Sequence, residues 1–359
     1  MHIFKVQETR SYLEMIKLKE KKVKKNDEIM VSICCITYNH EKYIAEAIES
    51  FLMQKTDFKY EILIHDDAST DNTANIVKEY EKRYPDIIKP IYQVQNQYSQ
   101  KKLVSSNNYN RAKGKYIAIC EGDDYWTDLY KLQKQFNYME ENPLCGLCFH
   151  TVKKVDDLSG KIIGKISPYN EDRIVNAEEV ILGGGDFIGT NSIFCRSELL
   201  KKLPKFFMNS PVGDYPLQIL TSCNDYAYFM KESMSVYRVN IKGSWTLRNI
   251  NRDIDETKKN EEEIYTKLVD MLLEFNCYSN KKYENVILEE IKEYEFKKLL
   301  LNDNLKKVKS EEYREFYKKL YLREKVKVYL GYYFPREAKI LLKIYRKIKF
   351  ILIRMLAHD

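Results

Sequence analysis

The chain has 359 residues, 44% of them hydrophobic, which is enough to bury a full core in one large domain with an appendage. Lys and Arg number 60 against 53 Asp and Glu, and the resulting net charge of +7 is mild. The 29 Tyr are dispersed, and no basic stripe interleaves them in the first half of the chain, which argues against a nucleic-acid partner.

The N-terminal residues and the cysteines predict the compartment. Residues 1–26 carry Lys and Glu throughout and contain no apolar block, so they match neither a secretory signal nor a membrane span. The eight Cys lie mostly inside apolar runs, where a free thiol behaves as a small hydrophobe. Cys145 and Cys148 have the spacing of half a zinc site, but no second pair follows. We therefore expect a cytoplasmic protein with reduced thiols.

The first part of the chain alternates apolar runs, which predict buried strands, with segments whose apolar residues recur every three or four positions, which predict helices. The predicted strands are 29–37, 60–65, 87–94 and 116–120. The predicted helices are 1–28, 41–54, 72–84 and 128–139. A polar connection is predicted at 107–112. Alternation in this order predicts an α/β fold with a parallel, doubly wound sheet.

Acidic residues follow two of these strands. The second strand stops at Asp66 and Asp67. The fourth opens onto Glu121, Asp123 and Asp124. Ligands bind beyond the carboxyl ends of strands in open α/β sheets, and Mg²⁺ or Mn²⁺ usually takes one or two carboxylates together with water and substrate phosphates. An isolated Asp pair would more simply be a solvated turn, but the repeated pattern favours a metal and diphosphate site.

The later part of the first domain has shorter elements. Strands are predicted at 144–152, 162–166 and 235–239, with a hairpin turn at 157–160 and a helix up to Leu182 that Asn176 caps. A third acidic position, Asp214, follows Gly213 and enters an apolar helix. These elements predict a boundary that separates a domain of residues 29–248 from a region at 249–359.

The region after the boundary is predicted to be helical. Residues 253–330 indicate two or three long helices rich in Lys and Glu. Gly331 and Pro335 are then expected to separate a final helix. From Arg336 onward, seven Lys or Arg stand against two acids, and apolar residues line one side. This helix lacks an uncharged apolar run long enough to span a bilayer. It therefore either lies on a membrane surface or packs on the preceding helices.

The strand ends and acidic positions together resemble the nucleotide-sugar domain of family 2 glycosyltransferases, the large inverting group with the GT-A fold. The resemblance runs from about Met30 to Trp245. It implies a Rossmann-like, mostly parallel sheet flanked by helices, to which this chain would add an all-helical C-terminal extension. It also implies a nucleotide-sugar donor and a Mn²⁺ or Mg²⁺ cofactor.

The resemblance implies a donor-binding role for residues near the first two strand ends. The family's Thr-Tyr-Asn motif, which lies beside the nucleoside, corresponds to Thr37, Tyr38 and Asn39. The second residue of the family's Asp pair typically holds uracil, and that position is Asp67.

The family's DXD element corresponds to residues 121–124. Asp123 is implied to lie near the sugar or ribose and to contribute to the metal site, and Asp124 is implied to be the acid that faces the metal. Asp214 resembles the catalytic base. Arg238 and Trp245 belong to a segment that resembles the one folding back over the donor diphosphate.

The chain departs from the family pattern at three positions. Glu121 replaces the first Asp of the DXD element but still offers an oxygen ligand. The connection before the metal strand lacks the usual Ala-Arg-Asn, and Arg111 is the candidate to replace that Arg. Asn240 stands where a His often ends the segment.

The leading hypothesis is an inverting, metal-dependent glycosyltransferase. It would move a sugar from a nucleotide-sugar, with UDP the family-typical nucleotide, to a hydroxyl of a glycan or lipid-linked acceptor in cell-surface polysaccharide synthesis. A lipid-linked acceptor would place the protein at the inner face of the cell membrane. One alternative is a nucleotidyltransferase, which would be expected to carry a Gly-rich basic loop after the first strand; Asn39 to Tyr43 contains no Gly. Another is a non-catalytic scaffold that binds membrane or protein through its helices.

Overall fold

The structure is a computed structural model that describes residues 28–241 and 254–337. The predicted N-terminal helix, Trp245, and nearly all of the basic terminal helix from Arg336 therefore lie outside the described residues. The chain forms two compact units, Met1–Asn251 and Arg252–Asp359.

The first unit contains a ten-stranded sheet. Its strands are β1 (Ile29–Thr37), β2 (Lys59–Asp66), β3 (Ile88–Tyr92), β4 (Tyr116–Ile119), β5 (Tyr125–Trp126), β6 (Cys145–Asp156), β7 (Ile162–Ile166), β8 (Arg173–Val175), β9 (Phe194–Arg196) and β10 (Tyr226–Val239). Eight of them follow the order β3-β2-β1-β4-β9-β6-β10-β5, while β7 pairs with β6 and β8 pairs with β10. Strands β1, β2, β3, β4, β6 and β10 share one direction. The predicted α/β class with a mostly parallel sheet is confirmed.

Seven helices of the first unit lie in the described residues. They are α1 (Ile44–Leu52), α2 (Thr73–Arg83), α3 (Ser106–Arg111), α4 (Lys131–Glu141), α5 (Ala177–Gly183), α6 (Lys205–Met208) and α7 (Asp214–Ser222). Strand β1 is buried almost throughout and pairs in parallel with β2 and β4. Its apolar side chains join those of α1 and α4 in one core cluster. The carboxyl ends of β1, β2 and β4 consequently open at the same edge of the sheet.

Strand β10 begins nine residues earlier than the predicted segment at 235–239. The first part of the strand was not predicted, because the consecutive charged residues Lys231 and Glu232 interrupt its apolar pattern. The ladder between β10 and β6 shifts register on each side of Ser233, and both charged side chains are exposed at this irregularity. Residues 107–112, predicted to be a connection, mostly form the short helix α3.

The second unit is helical where the structure describes it. Its helices are α8 (Ile254–Tyr278), α9 (Glu284–Leu301), α10 (Leu305–Val308), α11 (Arg314–Lys319) and α12 (Leu322–Tyr333). Helix α12 continues through Gly331 to Tyr333, and helical residues resume at Pro335, so the predicted interruption lies at Phe334, between Gly331 and Pro335. A Cβ at Gly331 would lie 2.4 Å from Leu305 Cδ1, so this glycine allows α12 to pack closely on α10. Within the described helices, none combines the length and apolar character needed to cross a membrane.

Helix α9 carries one buried carboxyl group. Glu290 is 2% exposed, and its Oε2 has no hydrogen-bond partner among the described residues. Burial raises the pKa of Glu290 to about 7, and repulsion from Glu293 adds to the shift. Since the folded-state pKa lies above the unfolded one, this group favours folding fully below about pH 4.5, and its contribution is lost as the pH rises to about 7.

We expect the effect of Glu290→Gln on the free energy of unfolding to be more stabilising at pH 8 than at pH 4.5, by on the order of 2–3 kcal/mol. At pH 8 the wild-type carboxyl group carries a buried negative charge, whereas the amide of Gln stays neutral at both pH values. Thermal unfolding of the two proteins across this pH range measures the difference. Glu289→Gln is the matched control, since Glu289 is exposed on the same helix. A pH-independent effect of Glu290→Gln would contradict the assignment.

Candidate functional site

The turn after β1 lies between the ends of β2 and β4. The backbone N–H of Asp67 donates to the Thr37 carbonyl at 3.0 Å. On the other side, Gly122 packs directly on Thr37, since a Cβ there would lie 2.7 Å from Thr37 Oγ1. His40 Nε2 lies 3.6 Å from Asp123 Oδ2. The strand ends that carry the predicted donor-binding motifs are therefore in direct contact.

Asn39 holds the β1 turn against the loop that follows β2. Its φ of +57° lies in the left-handed region, which Asn tolerates better than most residues. Its Oδ1 accepts a hydrogen bond from the Thr70 N–H at 2.8 Å, and its own N–H donates to Ser69 Oγ at 2.9 Å. Neighbouring Tyr38 is half-buried. Asn39 thus has a structural role in addition to the predicted contact with donor.

Asp67 is 1% exposed and organises the chain after β3. Its two carboxylate oxygens accept the N–H groups of Gln97 at 2.7 Å and Tyr98 at 3.0 Å. His65 Nε2 lies 3.6 Å from the same carboxylate, and burial lowers the pKa of this histidine. The role of Asp67 in holding a base stays a prediction, and a base would share the carboxylate with these two amides.

Residues Glu121–Asp124, which follow β4, form a turn that we call the acidic turn. Asp124 is buried in this turn, with 1% exposure. Its Oδ2 accepts the Asn191 amide at 3.0 Å, and its Oδ1 accepts the Arg238 N–H at 2.9 Å. Burial, followed by repulsion from Asp123 and Glu121, raises the pKa of Asp124. Because both oxygens are already engaged, Asp123, whose side chain is 18% exposed, is the more open of the two predicted metal ligands.

Glu121 connects the acidic turn with Asp214. Desolvation by the surrounding protein, followed by repulsion from Asp123 and then Asp214, raises the pKa of Glu121 to about 8. Asp214 is therefore close enough to the turn for its charge to be felt there, although the two positions are 93 residues apart in sequence. The acid that follows β4 and the acid that begins α7 therefore lie within electrostatic range of each other.

Asp214 is the first residue of α7 and is half-buried. Its Oδ1 accepts the Tyr215 N–H at 2.8 Å. Burial raises the pKa of Asp214, and the nearby Asp186 adds to this, while the Tyr215 N–H opposes it. A carboxylate with a raised pKa binds a proton more readily, which suits a general base.

Arg238 contacts the acidic turn, and its guanidinium is used within the protein. Nη1 donates to the Asp123 carbonyl at 2.6 Å, and Nη2 pairs with Glu46. The group stacks over the rings of Tyr125 at 4.4 Å and Tyr43 at 5.2 Å. Arg238 thus fixes the turn that carries Asp123, and contact with a diphosphate stays a prediction. Trp245, predicted to act with it, lies outside the described residues.

Asn191 is the site residue that the sequence analysis missed. Besides binding Asp124, its Nδ2 donates to the Val236 carbonyl at 2.8 Å, and its Oδ1 accepts the Ser235 hydroxyl at 3.0 Å. The indole of Trp126 donates to the Asn191 carbonyl at 2.9 Å. The sequence gives little signal for this role, because Asn191 lies between Thr190 and Ser192 in a short polar segment of the kind that usually forms a solvated turn.

The guanidinium of Arg111 is used within the protein, and its replacement of the missing family Arg stays a prediction. Its Nη2 donates to the Ile64 carbonyl at 3.1 Å and to Asn108 Oδ1 at 2.8 Å. Asn108 in turn donates to the carbonyls of Cys35 and Leu63. The guanidinium therefore ties α3 to the sheet. Asn240 likewise binds Asp156, at 2.6 Å.

The acidic turn has the donor chemistry of a Mn²⁺ or Mg²⁺ site. The ionisable side chains of the turn offer carboxylate oxygens, which hard cations prefer. The carboxylates of the turn repel one another, and a bound cation would reduce that repulsion. Three or more His, Cys, Asp or Glu gathered as ligands are not found in the part of the chain that the structure describes. A site with one or two carboxylates, completed by substrate phosphates, does not need such a group.

Known proteins resemble this chain in sequence. Residues 32–199 match the model of glycosyl transferase family 2. An uncharacterized protein of Mycobacterium tuberculosis is 36% identical over 219 residues, and the match covers 60% of each chain. An uncharacterized glycosyltransferase of Methanocaldococcus jannaschii is 31% identical over 59% of this chain and 72% of its own length. The chain thus spans about 60% of the length of its mycobacterial relatives.

Solved structures share the fold at low sequence identity. TarS of S. aureus, in complex with UDP-GlcNAc, aligns with a TM-score of 0.55 and 17% identity over 84% of this chain and 79% of TarS. A mannosyltransferase of Pyrobaculum calidifontis, in complex with GDP-Man and Mn²⁺, aligns with a TM-score of 0.54 and 15% identity over 93% and 91%. The family match, the archaeal relative and the shared GT-A architecture together establish that this chain belongs to glycosyl transferase family 2.

Proposed function

We propose that the protein is an inverting, metal-dependent glycosyltransferase that transfers a sugar from a UDP-sugar to a hydroxyl of a glycan or lipid-linked acceptor. The observation that carries the proposal is the electrostatic interaction between Asp214 and Glu121, which is expected if a general base and the carboxylates of a metal site share one pocket. Family membership and the nucleotide-sugars bound in the TarS and mannosyltransferase complexes support the donor class.

The acidic turn would hold the donor diphosphate through a divalent cation. Asp123, with Asp124 behind it, would bind Mn²⁺ or Mg²⁺, which would act as a Lewis acid and offset the charge of the leaving group. Asn191 and Arg238 keep this turn in place through Asp124 and the Asp123 carbonyl. The nucleoside would lie along the β1 turn at Thr37, Tyr38 and Asn39.

Asp214 would remove the proton of the acceptor hydroxyl. As the acceptor oxygen forms a bond to the anomeric carbon, that carbon's bond to the diphosphate oxygen breaks, and the nucleoside diphosphate leaves with the electron pair. Attack from the side opposite the leaving group inverts the anomeric configuration. The raised pKa of Asp214 supports this role, because a stronger base accepts the proton more readily.

The acceptor and location follow from the same proposal. A glycan or lipid-linked acceptor in cell-surface polysaccharide synthesis would be met in the cytoplasm, at the inner face of the membrane. The basic residues from Arg336 onward would favour that anionic surface by about 1 kcal/mol each.

We expect a UDP-sugar to raise the thermal unfolding temperature when Mn²⁺ is present and to have little effect without it. A panel of UDP-, dTDP- and GDP-sugars, each measured with and without Mn²⁺, identifies the donor. Asp123→Asn should weaken the Mn²⁺-dependent part of donor binding by about tenfold or more, because it removes the accessible charge of the turn.

The control for this panel is Asp225→Asn, which removes an exposed acid from the turn before β10 and should leave donor binding unchanged. Formation of a nucleotide-sugar from a nucleoside triphosphate and a sugar phosphate would instead identify a nucleotidyltransferase. Failure of every nucleotide-sugar to bind with Mn²⁺ would overturn the proposal.

A further inference from the structure

Helix α12 carries a stripe of exposed apolar side chains at helical spacing. Leu322 is 78% exposed, Val326 47%, Tyr329 51% and Tyr333 53%. Steps of four, three and four residues place these side chains on one face of the helix. We call these four residues the α12 stripe. Its regular spacing distinguishes it from the scattered exposed hydrophobic residues that are normal on protein surfaces.

A different face of α12 attaches the helix to the second unit. Val328 is 3% exposed and belongs to a core cluster with Phe296, Val308 and Tyr313. Gly331 lies on the same side, against Leu305. The inner face is therefore satisfied by packing, and the α12 stripe is a second apolar face that the described residues leave open to solvent.

The surroundings of the stripe are basic and aromatic. At 100° per residue, Arg323 and Lys325 lie on opposite sides of the stripe. Lys309 Nζ lies 4.6 Å and 4.3 Å from the ring centroids of Tyr332 and Tyr333. From Arg336 to the end of the sequence, seven Lys or Arg stand against two acids. Tyr rings suit the interface between an apolar phase and water, because one end of the ring is apolar and the other polar.

We infer that the α12 stripe docks the protein on an anionic lipid surface, with the helix lying in the plane of the membrane. Apolar side chains would enter the boundary between headgroups and acyl chains, and the flanking cations would contact lipid phosphates. The inference concerns this surface alone and does not depend on the transfer reaction. A second copy of this chain would bring the same positive charge against the stripe, whereas an anionic lipid surface complements that charge over its whole extent.

A fluorescent reporter at the stripe tests this directly. Cys277 is the exposed thiol among the free cysteines that the structure describes, so Cys277→Ser gives a background for labelling. In this background, Val326→Cys carries an environment-sensitive dye such as NBD, and Lys327→Cys is the matched position outside the stripe. With vesicles of phosphatidylcholine and phosphatidylglycerol, we expect a blue shift and brighter emission at 326, and a smaller response at 327.

A triple variant measures the contribution of the stripe. Leu322→Ser, Val326→Ser and Tyr329→Ser together should weaken partition of the full chain into the anionic vesicles by about tenfold or more. The matched control replaces Leu158, Ile162 and Ile163, three exposed apolar residues of the first unit, by Ser and should bind like the wild type. Donor binding should stay unchanged in both variants. Vesicle partition therefore tests the membrane surface, and donor binding tests the proposed function independently.

Two outcomes would overturn the inference. The first is wild-type partition by the triple variant together with an unchanged spectrum at 326, which would assign any vesicle binding to charge elsewhere. The second is a stable dimer in light scattering that the triple variant converts to a monomer without a change in vesicle binding, which would assign the stripe to a second copy of this chain.

Discussion

Asp214→Asn is expected to lower kcat by about 10²- to 10⁴-fold while leaving the dissociation constant of the nucleotide-sugar nearly unchanged. The amide keeps the size of the side chain and can still accept the Tyr215 N–H, but it cannot take a proton from the acceptor. Steady-state kinetics of transfer and calorimetric titration of the donor with Mn²⁺ measure the two quantities separately.

The pH profile of the same variant provides an independent check. Because burial and Asp186 raise the pKa of Asp214, the base of the wild-type protein should still be partly protonated at pH values where an ordinary Asp is ionised. Activity should therefore rise with pH through this raised pKa, and Asp214→Asn should lose that acidic limb. Asp186→Asn is the control, since it removes an exposed acid beside the base and should retain most of the activity. Wild-type turnover by Asp214→Asn would remove the assignment of the base.

Local patterns were sufficient to predict, to within one residue, where β1, β2 and β4 end. Strand β1 has the predicted bounds because nine apolar or small residues stop abruptly at a polar turn, and both signals are local. Asn176 was likewise predicted to cap α5. In the structure it does so as part of a capping box with Glu179, in which each side chain accepts the other residue's backbone N–H. Acids at the ends of parallel strands then had to share one edge of the sheet.

The partners of the site residues could not be predicted, because they depend on tertiary contacts. Asn191 binds an acid 67 positions away, and Arg238 pairs with Glu46 across 192 positions. No periodicity links such residues. The position of Gly331 inside α12 could not be predicted either, because it depends on close packing against Leu305, which outweighs the low helix propensity of glycine.

Gly122→Ala is expected to lower transfer activity by about 10²-fold or more by displacing the acidic turn. A Cβ at this position would lie 2.7 Å from Thr37 Oγ1, 2.8 Å from Thr37 Cβ and 3.0 Å from Ile44 Cδ1. Thr37 is fully buried and its carbonyl is held by the Asp67 N–H, so the β1 end has little freedom to yield. Instead, the turn that carries Asp123 and Asp124 should shift.

The requirement for glycine at 122 arises from close approach, since no positive φ is recorded there. Gly164→Ala is therefore the matched control: a Cβ at 164 meets nothing within 4 Å, and activity and unfolding temperature should stay at wild-type values. For Gly122→Ala we expect Mn²⁺-dependent donor binding to fall together with activity, and stability to fall by about 1–3 kcal/mol. Calorimetry and thermal unfolding measure both. Full donor binding with Mn²⁺ by Gly122→Ala would show that the metal and diphosphate site does not depend on the position of this turn against β1.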